Sequence, residues 1–193
     1  LTLLSTAVNT TAVGSLAGGG ATLTGDNNTL VGKSAGSEIT SGLENTAIGS
    51  GALDALTGGG YNTAVGRNAL GAATTQADQN VAIGRAAMSG ALTSGAENTA
   101  VGFQAGQAMT VGSNLTAVGY QAGLLLTLGA NANTAIGAGA LKAGDAATTD
   151  HNTCVGYLAG STITSGSSNT LVGSGAAVAD ADTTGNIVLG VNT

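Results

Sequence analysis

Polar and apolar positions along this chain recur in one short phrase. In "ENTAIGSGAL" (44–53) and "YNTAVGRNAL" (61–70), Asn and Thr are followed by a small residue, a β-branched residue and Gly. The T-A-[VI] core alternates with a period of two and is bounded by Gly, which reads as a short strand between turns. No segment sustains a 3.6-residue apolar period, and Gly recurs too often for helices. The predicted elements are therefore strands and bends alone.

Aligned on the Gly that ends the phrase, the chain holds eleven copies, at Gly14, Gly32, Gly49, Gly66, Gly84, Gly102, Gly119, Gly137, Gly156, Gly173 and Gly190. Their spacing is 17 to 19 residues throughout, so one repetitive domain over residues 1–193 is expected, with no room for a second. Four residues before the anchor stand Asn28, Asn45, Asn62, Asn80, Asn98, Asn133, Asn152, Asn169 and Asn186. Three residues after it Ala returns, as in Ala35, Ala52 and Ala69. A fainter second half places Ile39, Leu56, Leu92, Met109 or Ile163 ten residues before the next anchor, and this I-T stretch reads as a second, weaker strand.

Two short strands per copy, stacked copy on copy, make an all-β fold: a parallel β-solenoid or β-roll of about eleven coils. Strands about 4.8 Å apart give a stack of roughly 50 Å. The anchor Gly takes a backbone shape that a Cβ forbids. Identical Asn residues form a turn ladder from coil to coil, and the constant Ala marks a spot with room for one methyl. Alternation puts Thr and Val/Ile on one face and Asn with the Ala/Leu/Cys slot on the other. Both faces carry apolar groups, and one coil can enclose only one of them. The other is expected to meet another chain, with a trimer as the natural closure.

Composition sharpens this picture. There are 34 Gly, no Pro and no Trp, and 7% of residues are charged, which argues against a thick globular core. With 42% hydrophobic residues and sparse charge, disorder fits poorly. The net charge is −6, and Lys33, Arg67, Arg85 and Lys142 are the basic residues, too few for a nucleic-acid footprint. No apolar run is long enough for a spanning helix, so no membrane insertion is expected. Cys154 is the single cysteine, which precludes an intrachain disulfide. "LTLLSTAV" has no basic start and makes a poor signal peptide. Leu1 in place of Met reads as a trimmed or processed chain.

The phrases "NTAIGSGAL", "NTAVGRNAL", "NTAVGFQAG", "LTAVGYQAG" and "NTCVGYLAG" resemble the N-T-A-[IV]-G-x-x-A repeats of bacteriophage tail-fibre and related virion proteins. More distantly they are similar to the repeats in heads of trimeric autotransporter adhesins. The resemblance covers the coils from Thr10 to Gly190 and implies a left-handed, trimeric parallel β-roll. Adhesin-head repeats are usually shorter, so the present coils must be larger or carry a longer loop. The resemblance further implies a structural virion protein: the shaft or adhesive segment of a phage fibre, presenting loops to a host-surface glycan or protein. Its partners would be copies of itself and other virion proteins, and its location the virion. A capsid decoration protein, or a trimeric adhesin head at a bacterial cell surface, is the alternative.

The residue after the anchor varies most, and it carries Lys33, Arg67, Arg85, Phe103, Tyr120 and Tyr157. Such a mixture is expected to form an outward contact row, because Arg and aromatic side chains are favoured at interfaces. A solvated edge tolerant of variety is the plainer account. An ordered Thr row could organise water as ice-binding solenoids do, but the 17–19 spacing and the pairing of Thr with Val or Ile favour packing. Enzymatic readings are weak. His151 lies beside a turn Asn, Cys154 replaces Ala in an apolar slot, and Asp180 with Asp182 forms the closest acidic pair in a loop. "GGG" at Gly18–Gly20 and Gly58–Gly60 lacks the Asp pattern of calcium-binding rolls. A non-enzymatic protein without metal or cofactor is the expectation.

Overall fold

The structure is a computed structural model that describes residues 6–127, 131–143, 149–180 and 182–192. The start of "LTLLSTAV" and the middle of "VADADTTGN" therefore lie outside the described residues. The described residues form a parallel β-solenoid with no helix among them. Its strands are β1 (Thr11–Val13), β2 (Thr29–Val31), β3 (Thr46–Ile48), β4 (Thr63–Val65), β5 (Gln76–Asp78), β6 (Val81–Ile83) and β7 (Ser94–Ala96). Then follow β8 (Thr99–Val101), β9 (Thr116–Val118), β10 (Thr134–Ile136), β11 (Thr153–Val155), β12 (Thr170–Val172) and β13 (Ile187–Leu189).

All but β5 and β7 stack into one parallel sheet of eleven strands, each the T-A-[VI] core of one repeat. The register follows the repeat: Thr46 opposes Thr63, Ala47 opposes Ala64, and Ile48 opposes Val65. Where the spacing stretches to its longest, Ala135 still faces Cys154 and Ile136 still faces Val155. Variation in coil length is absorbed outside the sheet, and the face stays regular.

The sequence left open which face points inward. The central slot is inside: Leu30, Ala47, Ala64, Ala82, Ala100, Ala117, Ala135, Cys154 and Leu171 are buried, together with the Asn column and the constant Ala. Thr and Val/Ile point away from the core. Ile48, Ile83 and Val118 remain 41%, 40% and 36% exposed. Interior packing, one of two accounts of this face in the sequence, is thereby excluded.

The second strand needs correction. Thr93 N–H donates to Thr110 O at 2.9 Å and Thr40 N–H to Thr57 O at 2.9 Å, so the I-T segments are bonded between coils. They are not strands, however. Regular pairing occurs a few residues later, between β5 and β7.

Beyond each strand the chain bends at the anchor Gly, whose N–H bonds back one coil, as Gly66 N–H does to Ile48 O at 2.8 Å. Four residues after the anchor the backbone is left-handed at Gly and at large apolar residues alike, as in Gly36 (φ 56), Leu53 (φ 52), Leu70 (φ 49), Met88 (φ 47) and Gly160 (φ 63). This geometry aims the N–H at the constant Ala of the next coil, as from Leu53 to Ala69 O at 3.1 Å and from Gly36 to Ala52 O at 2.9 Å. A bond per coil offsets the roughly 1 kcal/mol or more that a non-Gly residue spends in this region.

A large residue never occupies both this position and the strand slot of one repeat, and in Ala12/Gly18, Ala100/Gly106 and Ala117/Gly123 both are small. Ala47, Ala64, Ala82 and Ala135 occur with Leu53, Leu70, Met88 and Leu141, whereas Leu30 and Cys154 occur with Gly36 and Gly160. A Cβ on Gly36 would stand 2.7 Å from Leu30 Cδ2, so the larger group fits on one side only. Leu30→Ala opens a cavity and Gly36→Leu overfills the site. The double variant, which copies the arrangement of the neighbouring coil, is expected to lose about 2 kcal/mol less than the sum of the singles. A double-mutant cycle by urea denaturation checks this; additive losses would contradict the size exchange.

Candidate functional site: a buried amide ladder and a row at the bend

The Asn column holds the two sides of each coil together. Asn62 Nδ2–H donates to Ala77 O across the coil at 2.7 Å and to Asn45 Oδ1 at 3.0 Å. Asn62 Oδ1 accepts from Asn80 N–H at 3.0 Å and from Asn80 Nδ2–H at 3.1 Å. The same pattern runs through Asn98, Asn152 and Asn169, whose Nδ2 groups reach Gly112 O, Gly166 O and Thr183 O at 3.0, 2.9 and 2.9 Å. Asn28 and Asn133 are buried likewise, and Asn186 closes on Asn169 Oδ1 at 2.9 Å. Buried amides survive only when paired, and here each is. The ladder changes at Leu115, where Asn98 Oδ1 receives only the backbone N–H at 2.9 Å. The residue before each Asn is left-handed, including Glu44 (φ 56), Tyr61 (φ 60) and His151 (φ 57).

The anchor glycines form a second column. Gly32, Gly49, Gly66, Gly84, Gly102, Gly119, Gly137, Gly156 and Gly173 all have φ between 130 and 138. A Cβ on Gly66 would sit 2.6 Å from Gly84 O, so the coils touch backbone to backbone here.

Past that bend lies the variable row. Lys33, Arg67, Arg85, Tyr120 and Tyr157 are exposed, and Phe103 is half-buried. Phe103 owes its cover to its neighbours in the row. The Arg85 guanidinium lies 5.4 Å from its ring centroid, within cation–π range. The Tyr120 ring stacks on the other side at 5.5 Å between centroids and 9° between planes. The stack stops at Ala138, one coil further, and Tyr157 resumes the row beyond it.

Between Tyr120 and Tyr157 is a cavity of about 170 Å³ lined also by Gln121, Ala138, Gly139 and Lys142. Leu158 also lines it, its Cδ2 2.6 Å from where a Cβ on Gly139 would stand. Sequence alone marks Lys142 only as one of few cations and gives Gln121 no role. The signal was present, since Gln121 stands two residues after an anchor and pairs with Gln104, its Nε2–H donating to Gln104 Oε1 at 2.8 Å.

A larger cleft, about 280 Å³, is lined by Asp54, Asn68, Gly71, Ala72 and Ser89. Asp54 is its one ionisable group. Burial raises the Asp54 pKa, and Glu38 adds to this, against backbone N–H donors that lower it. With a single carboxylate and no aromatic wall, this cleft offers less chemistry than the smaller one.

Asp180 and Asp182 are engaged in structure. Asp182 N–H donates to Asp180 Oδ1 at 3.2 Å, and Asp182 Oδ1 accepts from Thr164 Oγ1–H at 3.0 Å and from the Ser165 hydroxyl. Those Ser165 and Thr164 bonds hold the Asp182 carboxyl below its usual pKa. His151 is exposed. Among the described residues no group of three or more His, Cys, Asp or Glu side chains is placed to hold a metal ion. No helix among them is long and apolar enough to cross a membrane.

Cys154 is buried in the strand slot, and desolvation pushes its thiol up to about 12. At pH 8 only about one thiol in ten thousand is ionised by that value, and thiolate is the reactive form. Cys154 in the folded protein is therefore expected to resist Ellman's reagent at pH 8 and to react fully in denaturant. Reaction of the folded protein at the rate of a free thiol would contradict its place in the core.

Comparison with protein-family models, with curated proteins and with solved structures returns no match.

Proposed function

We propose that this chain is a structural virion protein, the shaft or adhesive segment of a phage fibre, working as a homotrimer. The single observation that carries the reading is the outward Thr–Val/Ile face of the eleven-stranded sheet. A regular sheet face that leaves Ile48, Ile83, Val118, Ile136 and Val172 at 36 to 41% exposure, with Val31, Val65, Val101 and Val155 half-buried between them, is costly for a lone chain. Three such faces brought together remove it from water, and hydrophobic burial supplies roughly 25 cal/mol per Å². A trimer also gives a thin Ala- and Gly-rich solenoid the stiffness a shaft needs. The bend row and the loops then face outward, toward a host-surface glycan or protein, while the ends of the stack meet other virion proteins. A capsid decoration protein or a bacterial adhesin head would use the same roll at a different location.

Immunogold electron microscopy with antibody to the purified chain tests this. Labelling of phage particles at fibres supports the reading, labelling at capsids moves it to decoration, and labelling of bacterial surfaces alone overturns the virion assignment. A second reading is favoured by the register. Thr opposes Thr from Thr99 to Thr116 to Thr134 to Thr153 without slip, a flat grid of hydroxyls and methyls that could order water if left uncovered. Thermal hysteresis in a monomeric protein would support that reading over the fibre.

A further inference from the structure

The geometry points to a glycan-binding slot between Tyr120 and Tyr157 that takes one pyranose ring. Four observations converge on it. The row is stacked up to Tyr120, with ring planes 9° from parallel, so the first wall is held flat by Phe103 and Arg85 behind it. Tyr157, 61% exposed, is the second wall. Ala138 stands between them in the row, so one ring's worth of space is missing from an otherwise aromatic stack. The space is a cavity of about 170 Å³ whose lining also includes Gly139, Leu158 and the polar residues Lys142 and Gln121.

Spacing selects the ligand. Two coil steps put the row positions of Tyr120 and Tyr157 about 9.6 Å apart. A planar ring sandwiched at carbon contact distance needs only about 7 Å from plane to plane. A chair-shaped ring with hydrogens on both faces needs about 1–2 Å more, which suits this gap better. Drug-sized ligands occupy about 300–1,000 Å³, so the slot accepts a single ring with the rest of a glycan outside. Lys142 and Gln121 can meet the hydroxyl or carboxylate groups at the ring's edge, while the Tyr faces meet its C–H groups. Lys142 is the one charged group of the lining, in a chain of net charge −6.

This inference rests on the proposed adhesive role but is tested apart from it. The chain has no Trp and three Tyr, two of which wall the slot, so Tyr fluorescence reports sugar occupancy, while indole, itself fluorescent, is followed by calorimetry. Methyl glucoside, methyl galactoside, glucuronate and galacturonate are titrated to 0.1 M or so, with indole as a planar control; at least one pyranose is expected to bind in the millimolar range. Ala138→Tyr, which fills the gap, and Tyr157→Ala, which removes a wall, should each weaken binding about tenfold or more. Ser50→Ala, exposed in the same row but outside the slot, should bind as the parent does. Circular dichroism confirms that the variants fold, and Tyr157→Ala keeps the test decisive should Ala138→Tyr fail to. Binding by none of the four sugars, binding unchanged in both slot variants, or preference for indole overturns the slot. Particle labelling and oligomer mass are untouched by that result, so failure of the slot and failure of the fibre reading are distinguishable.

Discussion

Gly66→Ala is expected to cost at least about 3 kcal/mol and to uncouple the coils on either side of it. Two terms act together. The backbone of Gly66 has φ 135, a region essentially closed to residues with a side chain. The new methyl would also lie 2.6 Å from Gly84 O, a backbone atom that cannot swing aside. Relief requires moving two coils apart, which strains the Gly84 N–H bond to Val65 O and the strand pairing of β4 with β6. In a solenoid each coil contacts only its neighbours, so a weak junction divides the stack into separately melting parts. Urea unfolding at fixed protein concentration should show an early midpoint or two transitions. A loss under about 1 kcal/mol, typical of an ordinary surface change, would mean the anchors do not touch.

Asn62→Ala is expected to be nearly as damaging, at about 3–5 kcal/mol, for a different reason. It removes the donor to Ala77 O and the acceptor for both Asn80 groups, all in the buried interior. Each orphaned buried group costs about 1–3 kcal/mol, and the amide's absence also leaves a void. Asn62→Leu fills the void but not the bonds, as Leu115 does naturally, and should fall between Ala and the parent. Equal stability of Asn62→Ala and the parent would show that the ladder is decorative.

The repeat and the strand residues could be read from sequence, because the anchor Gly and the alternation of T-A-[VI] allow few conformations. The amide ladder was legible for a similar reason: Asn recurs where nothing apolar except Leu115 is accepted. The inward face was not, since Thr–Val and Asn–Ala are both mixed in polarity. What decides it is that Asn has carbonyls to meet across the coil, whereas Thr and Val do not need the interior. The left-handed Leu53, Leu70 and Met88 were also hidden, because residue type alone disfavours that backbone. Their alternation with Gly at the same repeat position was the available clue. The aromatic stack was present as letters in the variable row. The gap at Ala138 gains meaning only once consecutive coils are known to lie in register.

The most direct test of the account is the mass of the intact chain in solution, measured by light scattering across a dilution series. The outward Thr–Val/Ile face predicts a trimer, about three times 18.1 kDa, and Ile83→Lys with Val118→Lys on that face should dissociate it while leaving β-structure intact. A stable monomer of 18.1 kDa at all concentrations would contradict it.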